Sequence, residues 1–216
     1  MEKYNIKKLI IFDLDGVIVD STEYAAQNMR NVYPGITPEM EKEVLSGNYF
    51  EETVKLAHLK KQETPEEKKA RQDAYAEGKS KIRAFTGMPE LIHSLKESGL
   101  ILAINTSAGE RNCAPLLENA EILPCFDFLA TSEVGRSKVE KFKMILEKYN
   151  VTVDETIFIT DTLGDVREAS VVGIPTIAVT WGAHDREFFT REKYENLIGI
   201  EDTPEELKDK ILSKQD

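Results

Sequence analysis

The chain has 216 residues, of which 41% are hydrophobic, and its formal net charge at pH 7 is −11. That length is sufficient for one compact domain with a smaller one, or for two modest domains. The acidic balance argues against a nucleic-acid or anionic-membrane surface, since both need clustered cations. Residues 55–71 are rich in lysine, but glutamates interrupt them, which favours a solvated helix face over a binding patch.

The first predicted element is the apolar run Leu9–Phe12, which has the composition of a strand buried on both faces. Asp13 and Asp15 follow it directly. In open α/β sheets, ligands bind just beyond the carboxyl ends of the strands. Two carboxylates are costly to place there unless a metal or a reaction uses them. The alternative is that they begin a turn or cap the next helix.

The next block of roughly seventy residues predicts helices only, because its apolar residues recur at helical spacing between strong start and stop signals. Ser21 is predicted to cap the first helix, and Thr64-Pro65-Glu66-Glu67 is a strong start signal for the last. Four helices are predicted, over residues 22–32, 37–45 and 51–60 and from 64 to about 84.

From Met88 onward, helices and strands alternate. This alternation predicts a parallel, doubly wound sheet, so the fold class is α/β with a helical block inserted after the first strand. The predicted strands are 100–104, 126–130, 156–160 and 176–179, and the predicted helices are 89–98, 110–120, 138–149, 163–172 and one beginning at 203.

Cys113 and Cys125 are the only cysteines, and their spacing is not that of metal ligands. Both are interpreted as small buried residues. With no secretory apolar segment at the N-terminus and no long apolar run, a reducing cytoplasm is the predicted location.

Four short motifs occur in a fixed order along the chain. They are Phe12-Asp13-Leu14-Asp15-Gly16-Val17 followed by Asp20-Ser21, Asn105-Thr106-Ser107 after a strand, Lys138 at the start of a helix, and residues 157–165, which end in paired acids. Together they resemble motifs I to IV of the haloacid dehalogenase (HAD) superfamily. The chain is similar to its branch of phosphoglycolate phosphatases and β-phosphoglucomutase-like enzymes with a helical cap.

This resemblance implies a Rossmann-like three-layer core with a parallel sheet, into which an all-helical cap domain is inserted. Residues 1–17 and 86–216 are predicted to form the core, and residues 18–85 the cap. A cap of this kind closes over a polar site and excludes water while it admits substrate.

Asp13 is the natural nucleophile for phosphoryl transfer, because a carboxylate needs no deprotonation at pH 7. Asp15 is placed to protonate the leaving oxygen and then to activate water. The resemblance assigns the same roles, and it implies that the backbone carbonyl of Asp15 binds a metal. That metal should be Mg²⁺, held by Asp13 and Asp161, with Asp165 as a further ligand or a support. Thr160 stands where the family commonly has glycine.

Two further groups are expected around the phosphoryl group. Thr106 offers a hydroxyl and a backbone N–H, although a helix-capping role is equally compatible with its position. Ser107 competes for that role, or caps the helix beginning near Glu110. Lys138 is expected to neutralise the nucleophile and the phosphoryl group.

Substrate contacts are expected at Gly16 and in the cap. Gly16 allows the chain to leave the strand sharply. Tyr49 and Phe50 belong to the cap loop expected to face the core. His184 is a possible cleft residue, although an ordinary loop histidine is the simpler interpretation.

The favoured function is a Mg²⁺-dependent phosphatase that hydrolyses a small phosphorylated metabolite through an aspartyl-phosphate. The alternatives are a sugar phosphomutase, disfavoured because residues 46–50 contain no Lys or Arg, and a catalytically silent binding or regulatory protein. Dehalogenation and phosphonate cleavage are disfavoured because those branches lack the second acid, here Asp15. A small-molecule phosphate ester is the expected partner, with no nucleic acid and no membrane, and the expected state is a monomer or homodimer.

Overall fold

A computed structural model describes residues 7–212 and contains a parallel six-stranded sheet in that range. The strand order is β3-β2-β1-β4-β5-β6, and all five pairings are parallel. The prediction of a doubly wound α/β fold is therefore confirmed. The strands are β1 (Leu9–Phe12), β2 (Ile101–Asn105), β3 (Phe128–Ala130), β4 (Thr156–Thr160), β5 (Thr176–Val179) and β6 (Leu197–Glu201).

Helices cover both faces of this sheet and also form the inserted block. They are α1 (Thr22–Val32), α2 (Pro38–Leu45), α3 (Tyr49–Lys55), α4 (Pro65–Lys79), α5 (Met88–Glu97), α6 (Glu110–Asn119), α7 (Lys138–Tyr149), α8 (Leu163–Val172), α9 (Arg186–Thr190) and α10 (Pro204–Leu212).

Two helix predictions need correction. The third helix ends at Lys55, and a separate 3₁₀ turn over Ala57–Leu59 follows it. The fourth helix ends at Lys79, five residues before the predicted Ala84, because the chain then returns to pair with the segment that leaves β1. Strand β6 and helix α9 were not predicted.

Strand β1 lies at the centre of the sheet, and all four of its residues are buried. Ile10 and Phe12 belong to the larger hydrophobic core on one face, while Leu9 and Ile11 belong to the core on the other. This explains why the sequence of β1 is continuously apolar rather than alternating. The strand order reverses beside β1, so Asp13 emerges at the edge where doubly wound sheets bind ligands.

Helices α1 to α4 form a block with a small core of its own, built on Met29, Tyr33, Val44 and Leu56. The two segments that connect this block to the sheet run side by side. The Asp20 N–H donates to the Arg83 carbonyl at 3.1 Å, and the Phe85 N–H donates to the Ile18 carbonyl at 2.9 Å. The block is thus joined to the sheet through one narrow pair of segments. The boundaries at residues 17, 18, 85 and 86 stay a prediction.

Across residues 7–212, the helices are all too short or too polar to cross a lipid bilayer.

Candidate active site

Three carboxylates and one lysine meet at the carboxyl edge of the sheet. Asp13 follows β1, Asp161 follows β4, Asp165 lies in the first turn of α8, and Lys138 is the first residue of α7. The Lys138 Nζ atom lies 3.0 Å from Asp13 Oδ2, and it also contacts Asp165 Oδ2. Residues separated by more than 140 positions thus form one buried charge cluster.

Burial dominates the electrostatics of this cluster. It raises the pKa of Asp13 to about 7, helped by repulsion from Asp165 and Asp15 and opposed by Lys138. Burial and then the charge of Asp13 raise the pKa of Asp161 well above its ordinary value. Burial acts against the charge on Lys138, but Asp13 and Asp165 more than offset it and raise the lysine pKa overall. One lysine is opposed by three acids, so the cluster would be stabilised by another cation.

Asp161 has the free coordination capacity that such a cation would use. Its Oδ2 atom accepts the Ala183 N–H at 2.8 Å, whereas its buried Oδ1 atom has no hydrogen-bond partner. Within residues 7–212, no three acidic, histidine or cysteine side chains are placed to hold a metal by themselves. Mg²⁺ is usually held by one or two carboxylates together with waters and substrate phosphate, so two acids suit it.

Gly16 and Gly182 permit the backbone to pack against Asp161. A Cβ atom at Gly16 would lie 1.9 Å from Asp161 Oδ2, and one at Gly182 would lie 2.3 Å from the same atom. Gly16 also has a φ of +73°, which disfavours other residues. The structure therefore places Gly16 against the acid cluster; the predicted contact with substrate stays a prediction.

Asp165 is held by two donors on one oxygen. The Thr160 hydroxyl donates to Asp165 Oδ2 at 2.7 Å, and Lys138 Nζ contacts the same atom. Thr160 therefore contributes a hydroxyl where the family commonly has glycine. These contacts favour a supporting role for Asp165, which orients Lys138 toward Asp13.

Thr106 is buried at the end of β2, and its backbone N–H is already used. That N–H donates to the Ala130 carbonyl at 3.1 Å, so the expected N–H for a phosphoryl group is not available. The Thr106 hydroxyl accepts from the Ala108 N–H at 3.0 Å and keeps its own proton to donate. Ser107 lines the cavity described below, and Gly109 rather than Ser107 occupies the N-cap of α6.

Asp15 has a partner in the inserted block that the sequence did not reveal. The Lys79 Nζ atom, at the end of α4, lies 2.7 Å from the Asp15 carboxylate, and its side chain is only 2% exposed. Burial alone would lower the pKa of Lys79, but Asp15 raises it overall, so the Lys79 ammonium stays charged beside Asp15. The solvated face predicted from the charges covers residues 55–71 and does not include Lys79, so no sequence pattern predicted this contact.

Ser21 is the second partner of Asp15, and this corrects its predicted role. Its side chain makes no helix-capping hydrogen bond and instead donates to Asp15 Oδ1. A residue of the connecting segment and a residue of the inserted block therefore both hold the second acid of the Asp13/Asp15 pair.

A cavity of about 440 Å³ lies between the acid cluster and the inserted block. Its wall on the block side combines apolar and aromatic residues, among them Met29, Val44, Tyr49 and Tyr75, and the Asp15–Lys79 pair also lines the cavity. This volume is in the range of small-molecule sites.

Tyr49 and Phe50, predicted together as substrate contacts, differ in their relation to the cavity. Tyr49 lines the cavity, whereas Phe50 is not among the lining residues and packs near the Arg136 guanidinium, 5.8 Å from its ring centroid. We therefore expect Tyr49→Ala to change KM and substrate ranking, because it removes cavity wall, while Phe50→Ala changes them less. Steady-state kinetics over a panel of phosphate esters measure this, and an equal effect of both substitutions would contradict it.

His184 is a structural residue. Its Nδ1 atom accepts the Leu163 N–H at 3.0 Å, and its ring stacks on Phe188 with centroids 4.0 Å apart. Burial lowers the pKa of His184 to about 4, so the ring is neutral at pH 7. This position agrees with the interpretation of His184 as an ordinary loop histidine.

The fold and this cluster together define an α/β protein with a carboxylate-rich site under a helical cap. A family model described as "Haloacid dehalogenase-like hydrolase" matches residues 10–179. The chain belongs to this family, and the predicted membership is confirmed.

Two curated relatives carry the names of different activities. The N-acetylmuramic acid 6-phosphate phosphatase of Pseudomonas aeruginosa is 28% identical over 192 residues, covering 81% of this chain and 82% of the relative. The tyrosine-protein kinase PtkA of Mycobacterium tuberculosis is 27% identical over 191 residues, covering 85% of this chain and 66% of the kinase. The chain thus spans slightly less than two thirds of that kinase.

Solved structures show the same fold. The crystal structure of a predicted phosphatase from Clostridium acetobutylicum superimposes with a TM-score of 0.75 at 22% identity, covering 96% of this chain and 99% of that one.

Proposed function

We propose that this chain is a Mg²⁺-dependent phosphoric monoester hydrolase that acts on a small phosphorylated metabolite through a phosphorylated Asp13. One observation carries the proposal. Asp13 lies on the floor of a cavity beneath the helical block, with Lys138 at 3.0 Å and Asp15 two residues away. The name of the Pseudomonas relative supports the same class of substrate.

Each residue of the site has a separate role in the proposed reaction. An Asp13 oxygen forms a bond to phosphorus while the ester oxygen leaves with the bonding electrons and takes a proton from Asp15. Water then attacks the phosphorylated Asp13, giving its proton to Asp15, and Asp13 and inorganic phosphate are released. Lys138 balances negative charge in both steps, and the Thr106 hydroxyl is free to donate to a phosphoryl oxygen.

Asp13 and Asp161, with the backbone carbonyl of Asp15, would hold the Mg²⁺ ion. Bound there, the ion would neutralise charge on the transferring phosphoryl group. The unpartnered Oδ1 atom of Asp161 and the raised pKa values of Asp13 and Asp161 support this assignment.

We favour hydrolysis over a sugar phosphomutase. A mutase must grip a second phosphate, but Arg30, the cation on α1, forms a two-pronged pair with Glu41 at 2.7 and 2.9 Å. Lys79 is paired with Asp15, and residues 46–50 contain no Lys or Arg. A second phosphate held by Arg30 or Lys79 would have to displace a carboxylate partner. Lys42, which is exposed and also lines the cavity, would not impose that cost, so the absence of Lys and Arg from residues 46–50 carries the preference for hydrolysis.

Metal removal gives the direct experiment. EDTA is expected to abolish turnover of para-nitrophenyl phosphate, and Mg²⁺ to restore it, because Asp13 and Asp161 repel each other without a cation. Ca²⁺ at equal concentration is the control, since it fits octahedral two-carboxylate sites less well.

Full activity in the metal-free protein would disprove the metal assignment. Absence of turnover toward every phosphate ester of a broad panel, with Mg²⁺ present, would instead favour the silent binding protein. The cytoplasmic location and the monomeric or homodimeric state stay predictions.

A further inference from the structure

The loop at residues 46–48, between α2 and α3, docks on α8 of the core. The Arg167 Nη1 atom donates to the Ser46 carbonyl at 2.8 Å, and the Asn48 Nδ2 atom donates to Glu168 Oε1 at 2.9 Å. Between them, the Gly47 backbone rests on Gly164, where an added Cβ would lie 2.3 Å from the Gly47 carbonyl oxygen. The helical block is therefore held against the core at this loop.

The same Glu168 oxygen also binds the start of α7. It accepts the Lys138 backbone N–H at 2.9 Å and the Ser137 hydroxyl at 3.3 Å. The first N–H groups of a helix have no partner within the helix, and a negative charge is favoured beside them. Glu168 supplies both the acceptor and the charge at the residue whose side chain reaches Asp13.

The start of α3 holds the Asn48 side chain as well. Its Oδ1 atom accepts the N–H groups of Phe50 and Glu51, both at 3.1 Å, and so caps α3. This fixes the amide plane, and the Nδ2 donor points toward the core. The hydrogen bond from Asn48 Nδ2 to Glu168 Oε1 is therefore present only when the loop is docked.

We propose that Glu168 is a positioning residue that couples the docking of loop 46–48 to the placement of Lys138. This rests on the proposed function for its effect on turnover, because Lys138 acts there on the reacting groups. When the loop is docked, Asn48 helps to hold the Glu168 carboxylate at the start of α7. When the loop leaves, Glu168 loses this donor, and the first turn of α7 loses its fixed acceptor.

Amide hydrogen exchange at Lys138, followed by NMR, tests the coupling without substrate. Asn48→Asp still caps α3, but it places a second carboxylate against Glu168, so exchange of the Lys138 N–H should become at least about threefold faster. Glu168→Ala removes the acceptor, and exchange should become about tenfold faster. Gln27→Glu, the same chemical change at an exposed position of α1, should leave exchange at Lys138 unchanged.

Kinetics test the consequence. Glu168→Ala is expected to lower kcat for para-nitrophenyl phosphate about tenfold, and Glu168→Gln, which keeps an acceptor, to recover a substantial part of that loss. The Asn48→Asp and Glu168→Ala effects should not multiply in the double variant, since both act through one contact.

Unchanged exchange at Lys138 in Asn48→Asp would overturn the coupling, and so would independent, multiplying effects on kcat. An inactive wild-type protein would refute the phosphatase proposal alone, because the exchange experiment needs no activity.

Discussion

Asp13→Asn is expected to reduce phosphatase turnover by on the order of 10⁴-fold or more, because an amide cannot form the acyl-phosphate bond. No phosphorylated protein should be trapped by acid quench during turnover. Asp15→Asn keeps the nucleophile, so transfer should persist but slow by roughly a hundredfold or more through the loss of acid–base catalysis. Steady-state kinetics and acid-quench trapping measure the two effects.

Protein stability separates this explanation from a folding defect. Burial raises the pKa of Asp13 to about 7, so above that pH the fold holds a charged Asp13 and bears the full destabilisation that burial of this charge causes. In EDTA at pH 8, Asp13→Asn should therefore unfold at the same or a higher urea concentration than the wild-type protein. Equal, mild losses of activity in the Asp13 and Asp15 variants would mean that the acid pair is structural.

The positions of Asp13, Lys138 and Asp161 follow from local sequence. Each one comes directly after a buried strand or begins a helix, and parallel strands bring their carboxyl ends to one edge of the sheet. Interpreting Leu9–Phe12 and Thr156–Thr160 as strands places Asp13 and Asp161 at the same edge of the sheet. Their meeting also requires β1 and β4 to be neighbours, which local sequence does not specify and the strand pairing shows.

The long-range contacts of Asp15 could not be predicted, because no local pattern in the sequence specifies them. Lys79 lies in a helix whose charges are typical of a solvated surface, yet 64 residues separate it from its partner Asp15. Ser21 has the local pattern of a helix cap, and the nearby carboxylate competes for its hydroxyl. Strand β6 was missed because it is an edge strand, half-buried throughout and interrupted by Gly199.

Lys79→Met is expected to lower kcat by about tenfold or more, because Asp15 loses the cation that holds it beside the reacting groups. The free energy of unfolding should change by less than about 1 kcal/mol, since methionine fills the buried site and removes a charge that is costly to desolvate. Asp15 is 29% exposed at its side chain, so water can solvate the carboxylate left behind. Activity and stability are thus expected to separate in this variant.

Lys81→Met is the matched control. It makes the same substitution two residues further along the chain, at a lysine that is 71% exposed and pairs with Glu77. It should leave both kcat and the free energy of unfolding nearly unchanged. Lys79→Arg, which keeps the charge in a larger side chain, should retain more activity than Lys79→Met. If Lys79→Met turns over para-nitrophenyl phosphate as fast as the wild-type protein, the Asp15–Lys79 pair only holds the helical block against the core. Asp15 then needs no neighbouring cation for acid–base catalysis.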